Sequence, residues 1–247
     1  MTADTTTVAP PATASGPLET ALWAAYARVY DNLLHLTGYR RLLDAVADAA
    51  AVDTGDDVVE VGCGTGNVLQ RLARHRPATL LGIDGSGPML ARARRKLRRS
   101  PVPTELRQDD VVAGLADLPS GSVDRLVAVN VLYALHDRDA FWREARRVLR
   151  PTGSVVVSHT DRPGSWPLIT EHVHAVGPRA LAHVGLVAVA LVDALIDTVA
   201  RTGTWEFCDY PTLSEEAGRH GFAAEYRGRC YGGDVEGVNF LACYRPR

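Results

Sequence analysis

The chain has 247 residues, a formal net charge of −2, 46% hydrophobic residues and 23% charged residues. This ordinary globular balance favours one domain, and the near-zero charge removes any bulk attraction to nucleic acid, so no nucleic-acid partner is expected. The four cysteines include no C-x-x-C pair and no secretory signal opens the sequence, so we expect a reduced, cytoplasmic protein without a metal site or disulfide framework.

The N-terminal part of the chain separates into a polar leader and two helices. Residues 1–17 are rich in Thr, Ala and Pro, which predicts a disordered leader. Apolar residues then recur every three to four positions over Glu19–Leu36 and Tyr39–Ala51, as in amphipathic helices. We expect these helices, within residues 18–51, to be the first part of a single domain covering residues 18–247.

A glycine-rich turn follows the next apolar segment. Val58–Val61 predicts a buried strand, and Gly62, Gly64 and Gly66 alternate directly after it before helical spacing resumes. Glycines allow positive φ angles and let a ligand approach the backbone closely, while the following helix directs its free N–H groups into the same space. The next strand ends at Asp84, where a carboxylate can accept hydrogen bonds from both hydroxyls of a ribose.

The remaining core, residues 57–159, alternates strands and helices, which predicts a parallel sheet covered on both faces. The predicted strands are Asp57–Val61, Thr79–Ile83, Thr104–Gln108, Val123–Val129 and Gly153–His159. The predicted helices between them are Gly66–Arg76, Ser86–Arg99, Val111–Ala116 and Asp137–Leu149.

The sequence changes character after the fifth strand. Trp166–Val176 and Pro178–Ala200 predict helices of a cap within residues 165–201, and the cap contains a wholly apolar run that is too short to span a membrane. That run indicates burial under the cap or in a homodimer interface. Residues 213–244 then predict a helix, Leu213–His220, and a hairpin around the Gly232-Gly233 pair.

Several motifs occur in one order between about Val58 and His159. They are Glu60–Gly66, Gly82–Ser86 with Met89-Leu90, Gln108–Asp110, Leu118-Pro119, Asp124–Asn130 and Leu149–Gly153, the last with Thr152 where glycine is usual. In this order they resemble the class I S-adenosylmethionine-dependent methyltransferases. The resemblance implies an α/β, doubly wound, Rossmann-like sheet of seven strands, mixed because its last strand is antiparallel.

The resemblance also implies S-adenosylmethionine as the cofactor. The residues expected to bind it are Tyr26, Tyr30, Glu60, Gly62, Gly64, Gly66, Asp84, Ser86, Met89, Asp110, Val111 and Asn130. Of these, the glycines would offer backbone contacts, Glu60 would help to hold the loop, and Asp84 would bind the ribose. Met89 and Val111 would form an apolar slot for adenine. For its amino group the resemblance favours Asp110 over Asp109, which stands where the family has glycine.

Tyr26 and Tyr30 lie in the first predicted helix, just before Asp31. In the resembled family a Tyr-Asp pair in this region often closes over the methionine end of the cofactor, and plain packing is the alternative for both tyrosines.

Methyl transfer requires a base only when the acceptor has a proton to lose. Tyr133 and His136 follow Asn130, and His159 ends the fifth strand beside it. Because neighbouring parallel strands end at one edge of a sheet, we expect Asn130 and His159 to face one cavity, and we name His159, His136 and Tyr133 as catalytic candidates. His172, His174 and His183 in the cap are further candidates.

These observations favour methyl transfer to a small, fairly apolar acceptor at O, N or C. Two alternatives stay open. One is a protein of the same fold that uses the cofactor only as structure, as a cyclase or a binding protein. The other is a nicotinamide-dependent oxidoreductase, since Asp84 also suits that ribose, although Asn67 and the terminal hairpin argue against it.

Overall fold

A computed structural model describes residues 16–162, 166–177, 184–230 and 239–247. Most of the expected leader (residues 1–15), His183 and the Gly232-Gly233 turn lie outside these ranges. The first helix begins at Pro17, and proline is favoured there because the first turn of a helix needs no N–H from it.

Seven strands of the described residues form one sheet in the order β3-β2-β1-β4-β5-β7-β6. They are β1 (Asp57–Val61), β2 (Thr79–Asp84), β3 (Thr104–Gln108), β4 (Val123–Val129), β5 (Leu149–Thr160), β6 (Phe222–Arg229) and β7 (Asn239–Pro246). Strands β1 to β5 are parallel, and β7 runs antiparallel to both β5 and β6. The expected mixed, doubly wound sheet is confirmed.

Helices cover the sheet and the loops at one of its edges. They are α1 (Pro17–Val29), α2 (Thr37–Ala50), α3 (Asn67–Leu72), α4 (Gly87–Leu97), α5 (Val111–Ala116), α6 (Arg138–Val148), α7 (Trp166–Val176), α8 (Val184–Val199) and α9 (Tyr210–Arg219). A 3-10 helix, Tyr30–His35, joins α1 to α2, and a π-helical turn, Ala200–Thr204, ends α8.

The two faces of the sheet pack against different helices because successive side chains of a strand point in opposite directions. Val58 belongs to the apolar cluster under α2, α3 and α4, whereas Val59 and Val61 belong to the cluster under α5, α6 and α9. Strand β1 is therefore apolar on both faces, as its sequence indicates.

Several boundaries differ from the sequence-based predictions, and three of the differences have a local cause. The single helix expected over Glu19–Leu36 is divided at Val29, whose carbonyl accepts a hydrogen bond from the Asn32 side chain at 2.9 Å, a local bond that competes with helical pairing. Strand β5 begins at Leu149 because that residue already pairs with β4 before a register shift. Helix α9 begins at Tyr210, capped by the Asp209 side chain.

The cap helices α7 and α8 follow β5 and pack on the N-terminal helices. The apolar helix α8 is buried on one side only. Leu186 and Val189 are buried, whereas Val187, Leu191 and Leu195 are exposed on one face. Among the described residues, none of the helices combines the length and the hydropathy needed to cross a bilayer.

Candidate functional site

A cavity of about 730 Å³ opens at the carboxyl edge of the parallel strands. Residues on its glycine wall are Gly62, Gly64, Asp84, Ser86, Met89, Asp110 and Val111, and residues on its aromatic wall are Trp23, Tyr26, Tyr133 and Phe207. Its size is within the range of about 300–1,000 Å³ typical of small-molecule sites, and its position is where open α/β sheets bind ligands.

Two glycines of the loop after β1 line the cavity in different ways. Gly62 (φ 64°) and Gly64 (φ 52°) both have left-handed backbones, which disfavour other residues. A Cβ on Gly62 would lie 2.5 Å from Cγ2 of Val131, whereas a Cβ on Gly64 would meet no atom within 4 Å. Gly62 therefore allows close packing, and Gly64 leaves its backbone open to a ligand.

Asp84 ties the end of β2 to this loop. One carboxylate oxygen accepts the N–H of Gly64 at 2.7 Å, and the other accepts the N–H of Ser86 at 2.8 Å. Burial raises the pKa of Asp84, and the two backbone donors oppose that rise. Each oxygen keeps a second lone pair, so the fixed carboxylate can still accept a hydrogen bond from a ligand.

Glu60 and Gly66, two of the residues expected at the cofactor, do not line the cavity. Glu60 is 2% exposed and accepts the backbone N–H of Leu69 in the first turn of α3, while its Oε2 has no partner among the described residues. Burial raises the pKa of Glu60 well above its usual value. A Cβ on Gly66 would face Leu97 and Ala93 of α4. Both residues therefore support the loop from behind.

The residues expected at the adenine all line the cavity. Met89 and Val111 are both buried and both line the cavity. Asp110 is the N-cap of α5, where one of its oxygens accepts the N–H groups of Val112 and Ala113 at 2.9 and 3.1 Å. Asp109 lies on the cavity wall as well, so the choice between the two aspartates stays a prediction.

Three tyrosines cover the cavity from the N-terminal helices. Tyr26 and Tyr30 pack edge to face with ring centroids 5.0 Å apart, and the hydroxyl of Tyr39 donates to that of Tyr30 at 3.2 Å. Burial raises the pKa of all three hydroxyls, so they are neutral hydrogen-bonding groups. The expected positions of Tyr26 and Tyr30 beside the cavity agree with this arrangement.

A partly buried lysine connects this tyrosine cover to the glycine loop. Lys96 of α4 donates to Asp31 at 2.8 Å, to Thr65 at 3.2 Å and to the side-chain oxygen of Asn67. The Asn67 amide in turn donates to the hydroxyl of Tyr39 at 3.4 Å. Burial acts to raise the pKa of Asp31, but the hydrogen bonds from Lys96 and Thr65 outweigh it and lower that pKa.

Tyr133 and His136, two of the three catalytic candidates, line the cavity. Tyr133 stacks on Phe207 with ring centroids 4.9 Å apart, and its ring lies 5.9 Å from that of Trp205. His136 is exposed at the rim, two residues before α6. Aromatic side chains on this wall suit a flat, apolar ligand.

His159 does not face the cavity with Asn130, which corrects the expectation from the strand order. Its side chain is fully buried behind Tyr133, its Nε2 lies 3.5 Å from the Cys208 thiol, and its Nδ1 has no partner among the described residues. Burial, assisted by the positive charge of Arg138, lowers the pKa of His159 to about 3. Alternation along β5 explains the difference, because the next residue, Thr160, lines the cavity instead.

Two acidic residues of α8 that are absent from the sequence-based candidates also line the cavity. Asp193 is 5% exposed and forms a hydrogen bond with Tyr26, and Asp197 follows one helical turn later. The sequence does contain a signal for this pair. The two aspartates are four residues apart at the end of an apolar run, so they lie on one face of the helix. Within the described ranges no group of three His, Cys, Asp or Glu side chains could hold a metal ion.

Comparison with known proteins agrees with this geometry. Residues 59–157 match a family model described as a methyltransferase domain. The chain is 35% identical over 123 residues to the methyltransferase GfsG of Streptomyces halstedii, an alignment covering 48% of this chain and 42% of the relative. It is 30% identical over 154 residues to a 27-O-demethylrifamycin SV methyltransferase of Amycolatopsis mediterranei, covering 59% and 55%.

The chain thus spans about half the length of these curated relatives. Among solved structures, a DhpI–SAH complex aligns with a TM-score of 0.57 at 21% identity, covering 95% of this chain and 98% of the other, which shows a common fold. Taken with the matched domain, the glycine loop and the sheet order, these comparisons give one answer. Residues 59–157 of the chain form a methyltransferase domain of the class I S-adenosylmethionine-dependent family.

Proposed function

We propose that this protein transfers a methyl group from S-adenosylmethionine to a small, fairly apolar acceptor. The observation that carries the proposal is the pairing of Gly64 with Asp84. The backbone of Gly64 borders open space where a Cβ would lie, and its N–H donates to the Asp84 carboxylate at 2.7 Å. Both residues line the cavity of about 730 Å³. The names of the relatives, which are methyltransferases, support the same activity.

The residues present fit this cofactor. The open backbone at Gly64 suits its amino-acid end, the Asp84 carboxylate suits a ribose diol, and the apolar pair Met89 and Val111 suits adenine, with Asp110 as acceptor for the amino group. When bound, the cofactor supplies a methyl group already activated by the sulfonium. The protein must therefore mainly align the acceptor and exclude water. We assign that exclusion to Tyr26 and Tyr30 and the remaining cofactor contact to Ser86, and we place Asn130 beside the transferable methyl group.

The base, if the acceptor needs one, is Tyr133 or His136 in this proposal. We expect replacing the true base to reduce turnover about 10²–10⁴-fold while leaving cofactor affinity little changed. Tyr133→Phe and His136→Gln are compared at saturating cofactor, with His159→Gln as the control for a buried residue outside the cavity. A loss seen only in the control would restore His159 as the base. Full activity in all three variants would show that none of them removes a proton.

The activity itself is tested with methyl-labelled S-adenosylmethionine and an extract of small metabolites. The proposal expects label to move to one or a few apolar small molecules and to disappear when Asp84 is replaced by alanine. Binding of the cofactor with no transfer to any acceptor would instead favour a protein that retains the cofactor as structure.

We also propose one cytoplasmic domain over residues 18–247 that binds no nucleic acid and forms a homodimer through the cap. The exposed apolar side chains of Val187, Leu191 and Leu195 on α8 support the dimer, and the net charge of −2 argues against a nucleic-acid partner. Light scattering of the wild type and of Leu191→Glu tests this interface. We expect the mass of a dimer for the wild type and the mass of a monomer for the variant.

Two alanine substitutions in the glycine loop should separate binding from folding. Both Gly62→Ala and Gly64→Ala impose the left-handed cost of about 1–2 kcal/mol. Only Gly62→Ala also overlaps Val131, which adds about 1–3 kcal/mol of overpacking, so it should be the less stable variant. Gly64→Ala should instead weaken cofactor binding at least tenfold, because its methyl group enters the open space. Urea unfolding and calorimetry measure the two effects, and wild-type affinity in Gly64→Ala would contradict the assignment.

Removing the lysine behind the loop should loosen the tyrosine cover. Lys96→Met leaves Asp31 without its charged donor, so we expect the free energy of unfolding to fall by about 1–3 kcal/mol and cofactor affinity to fall with it. Arg95→Met is the matched control, since Arg95 is exposed on the same helix. Equal stability and equal affinity in the two variants would show that the network does not support the site.

A further inference from the structure

Asn130 adopts a strained backbone at the cavity. It follows β4, lines the cavity, and has a φ of 51° in the left-handed region. The other non-glycine residues with positive φ in the described ranges are Ala51 and Arg76, and neither lines the cavity. Such a conformation persists where the surroundings fix it, and it is often found at functional sites.

A buried polar pair fixes the side chain of Asn130. The amide nitrogen of Asn239 donates to Oδ1 of Asn130 at 2.8 Å, and the hydroxyl of Ser158 donates to Oδ1 of Asn239 at 3.1 Å. Asn239 and Ser158 are both 0% exposed. The backbone N–H of Asn130 donates to the Ser158 carbonyl at 2.8 Å. The three residues meet because β4, β5 and β7 are consecutive neighbours in the sheet.

We propose that Asn239 is a positioning residue that makes Asn130 a hydrogen-bond donor to an oxygen atom of the methyl acceptor. Because Oδ1 of Asn130 is engaged by Asn239, the N–H groups of its amide are left to pair with a ligand in the cavity that Asn130 lines. These N–H groups pair with the lone pair of an alcohol or phenol oxygen, whereas a protonated amine has no lone pair to offer. This inference rests on the proposed methyl transfer and names hydroxyl compounds as the acceptor class.

The chemistry of such an acceptor is consistent with this contact. One lone pair of the hydroxyl oxygen accepts from Asn130 and the other forms the new bond to the methyl carbon. The bond between that carbon and sulfur breaks with its electron pair left on sulfur, and the hydroxyl proton passes to the base or to water. Asn130 thus orients the reacting oxygen without taking the proton.

The first test uses carbon-13 methyl-labelled S-adenosylmethionine, the wild-type protein and a metabolite extract. The chemical shift of the transferred carbon distinguishes O-methyl from N-methyl and C-methyl products. An O-methyl product supports the inference, whereas an N-methyl or C-methyl product overturns it and leaves the proposed methyl transfer intact. No transfer to any compound would contradict the proposed function itself.

The second test asks whether Asn239 acts through Asn130. Asn239→Asp keeps the size but lacks the donor, and Asn130→Asp lacks the N–H groups, so each should lower label transfer at dilute extract roughly tenfold, the effect of one hydrogen bond. Concentrated extract should restore transfer in both, since the loss lies in acceptor binding. Affinity for S-adenosylhomocysteine should stay within about twofold of wild type, because a defect confined to the acceptor leaves cofactor contacts unchanged.

The double variant that combines Asn130→Asp with Asn239→Asp completes a double-mutant cycle. If Asn239 acts through Asn130, the double variant should lose no more than either single one, because both remove the same contact. Additive losses, or a fall in S-adenosylhomocysteine affinity that matches the fall in transfer, would overturn the positioning role and indicate a merely structural one.

Discussion

Replacing Asp84 with alanine should weaken S-adenosylmethionine binding by at least about 100-fold while the fold persists. The carboxylate is expected to accept hydrogen bonds from two ribose hydroxyls, each worth about 1.5–3 kcal/mol when one partner is charged. The same substitution frees the N–H groups of Gly64 and Ser86, which Asp84 holds at 2.7 and 2.8 Å, so the loop also loses its order. Isothermal calorimetry measures the affinity, and circular dichroism verifies the fold.

Asp84→Asn separates charge from shape. It keeps one oxygen acceptor of similar position, so its affinity should lie between those of the wild type and Asp84→Ala. A cofactor affinity that is unchanged in Asp84→Ala would remove the central contact of the proposed site.

The second large effect concerns stability in acid. Folding holds His159 in its neutral form, with a pKa of about 3 against an ordinary histidine value of 6.5, mainly through burial. Below pH 6.5 the unfolded chain therefore binds a proton that the folded chain does not, so the stabilisation present above pH 6.5 is lost as the pH falls toward 3. The expected loss is about 1.4 kcal/mol for each pH unit in that window.

His159→Gln should remove this part of the pH dependence. Urea unfolding at several pH values between 7 and 4 gives the slope for the wild type, for His159→Gln and for the exposed control His75→Gln. Burial raises the pKa of Glu60 and Asp84, which acts in the opposite direction, but both groups are common to all three proteins and cancel in the comparison. Parallel slopes in the wild type and His159→Gln would contradict the assignment.

The sheet and the glycine wall were predictable because their signals are local. The apolar strand β1, the glycines after it and Asp84 at the end of β2 are each fixed by the neighbouring sequence. The sheet brings them together through parallel pairing, which follows from alternating strands and helices. For the same reason Met89 and Val111, which lie at the start of helices after two neighbouring strands, line one cavity.

Side-chain direction was harder to predict. His159 and Thr160 both end β5, and only the pleat of that strand decides that Thr160 faces the cavity. Glu60 lies one residue from the loop, yet it turns toward Leu69 in α3. Whether a residue contacts a ligand or supports the loop depends on the face of the strand from which its side chain projects. When a strand is apolar on both faces, the periodicity of its sequence does not determine that face.

Contacts between distant segments left no signal in a single sequence. The bond of Asn239 to Asn130 joins residues 109 positions apart, and that of Lys96 to Asp31 joins residues 65 apart. Nothing near either residue marks it as a partner. Asp193 and Asp197 reach the cavity only because the cap folds over the N-terminal helices.

A crystal structure of the protein with S-adenosylhomocysteine would show whether the cavity is the cofactor site. We expect the ligand in the cavity of about 730 Å³, with its ribose hydroxyls on the Asp84 carboxylate, its adenine between Met89 and Val111, and its amino-acid end on the backbone of Gly64. A ligand bound elsewhere, or a cavity that binds NADH and excludes S-adenosylhomocysteine, would contradict the proposed site.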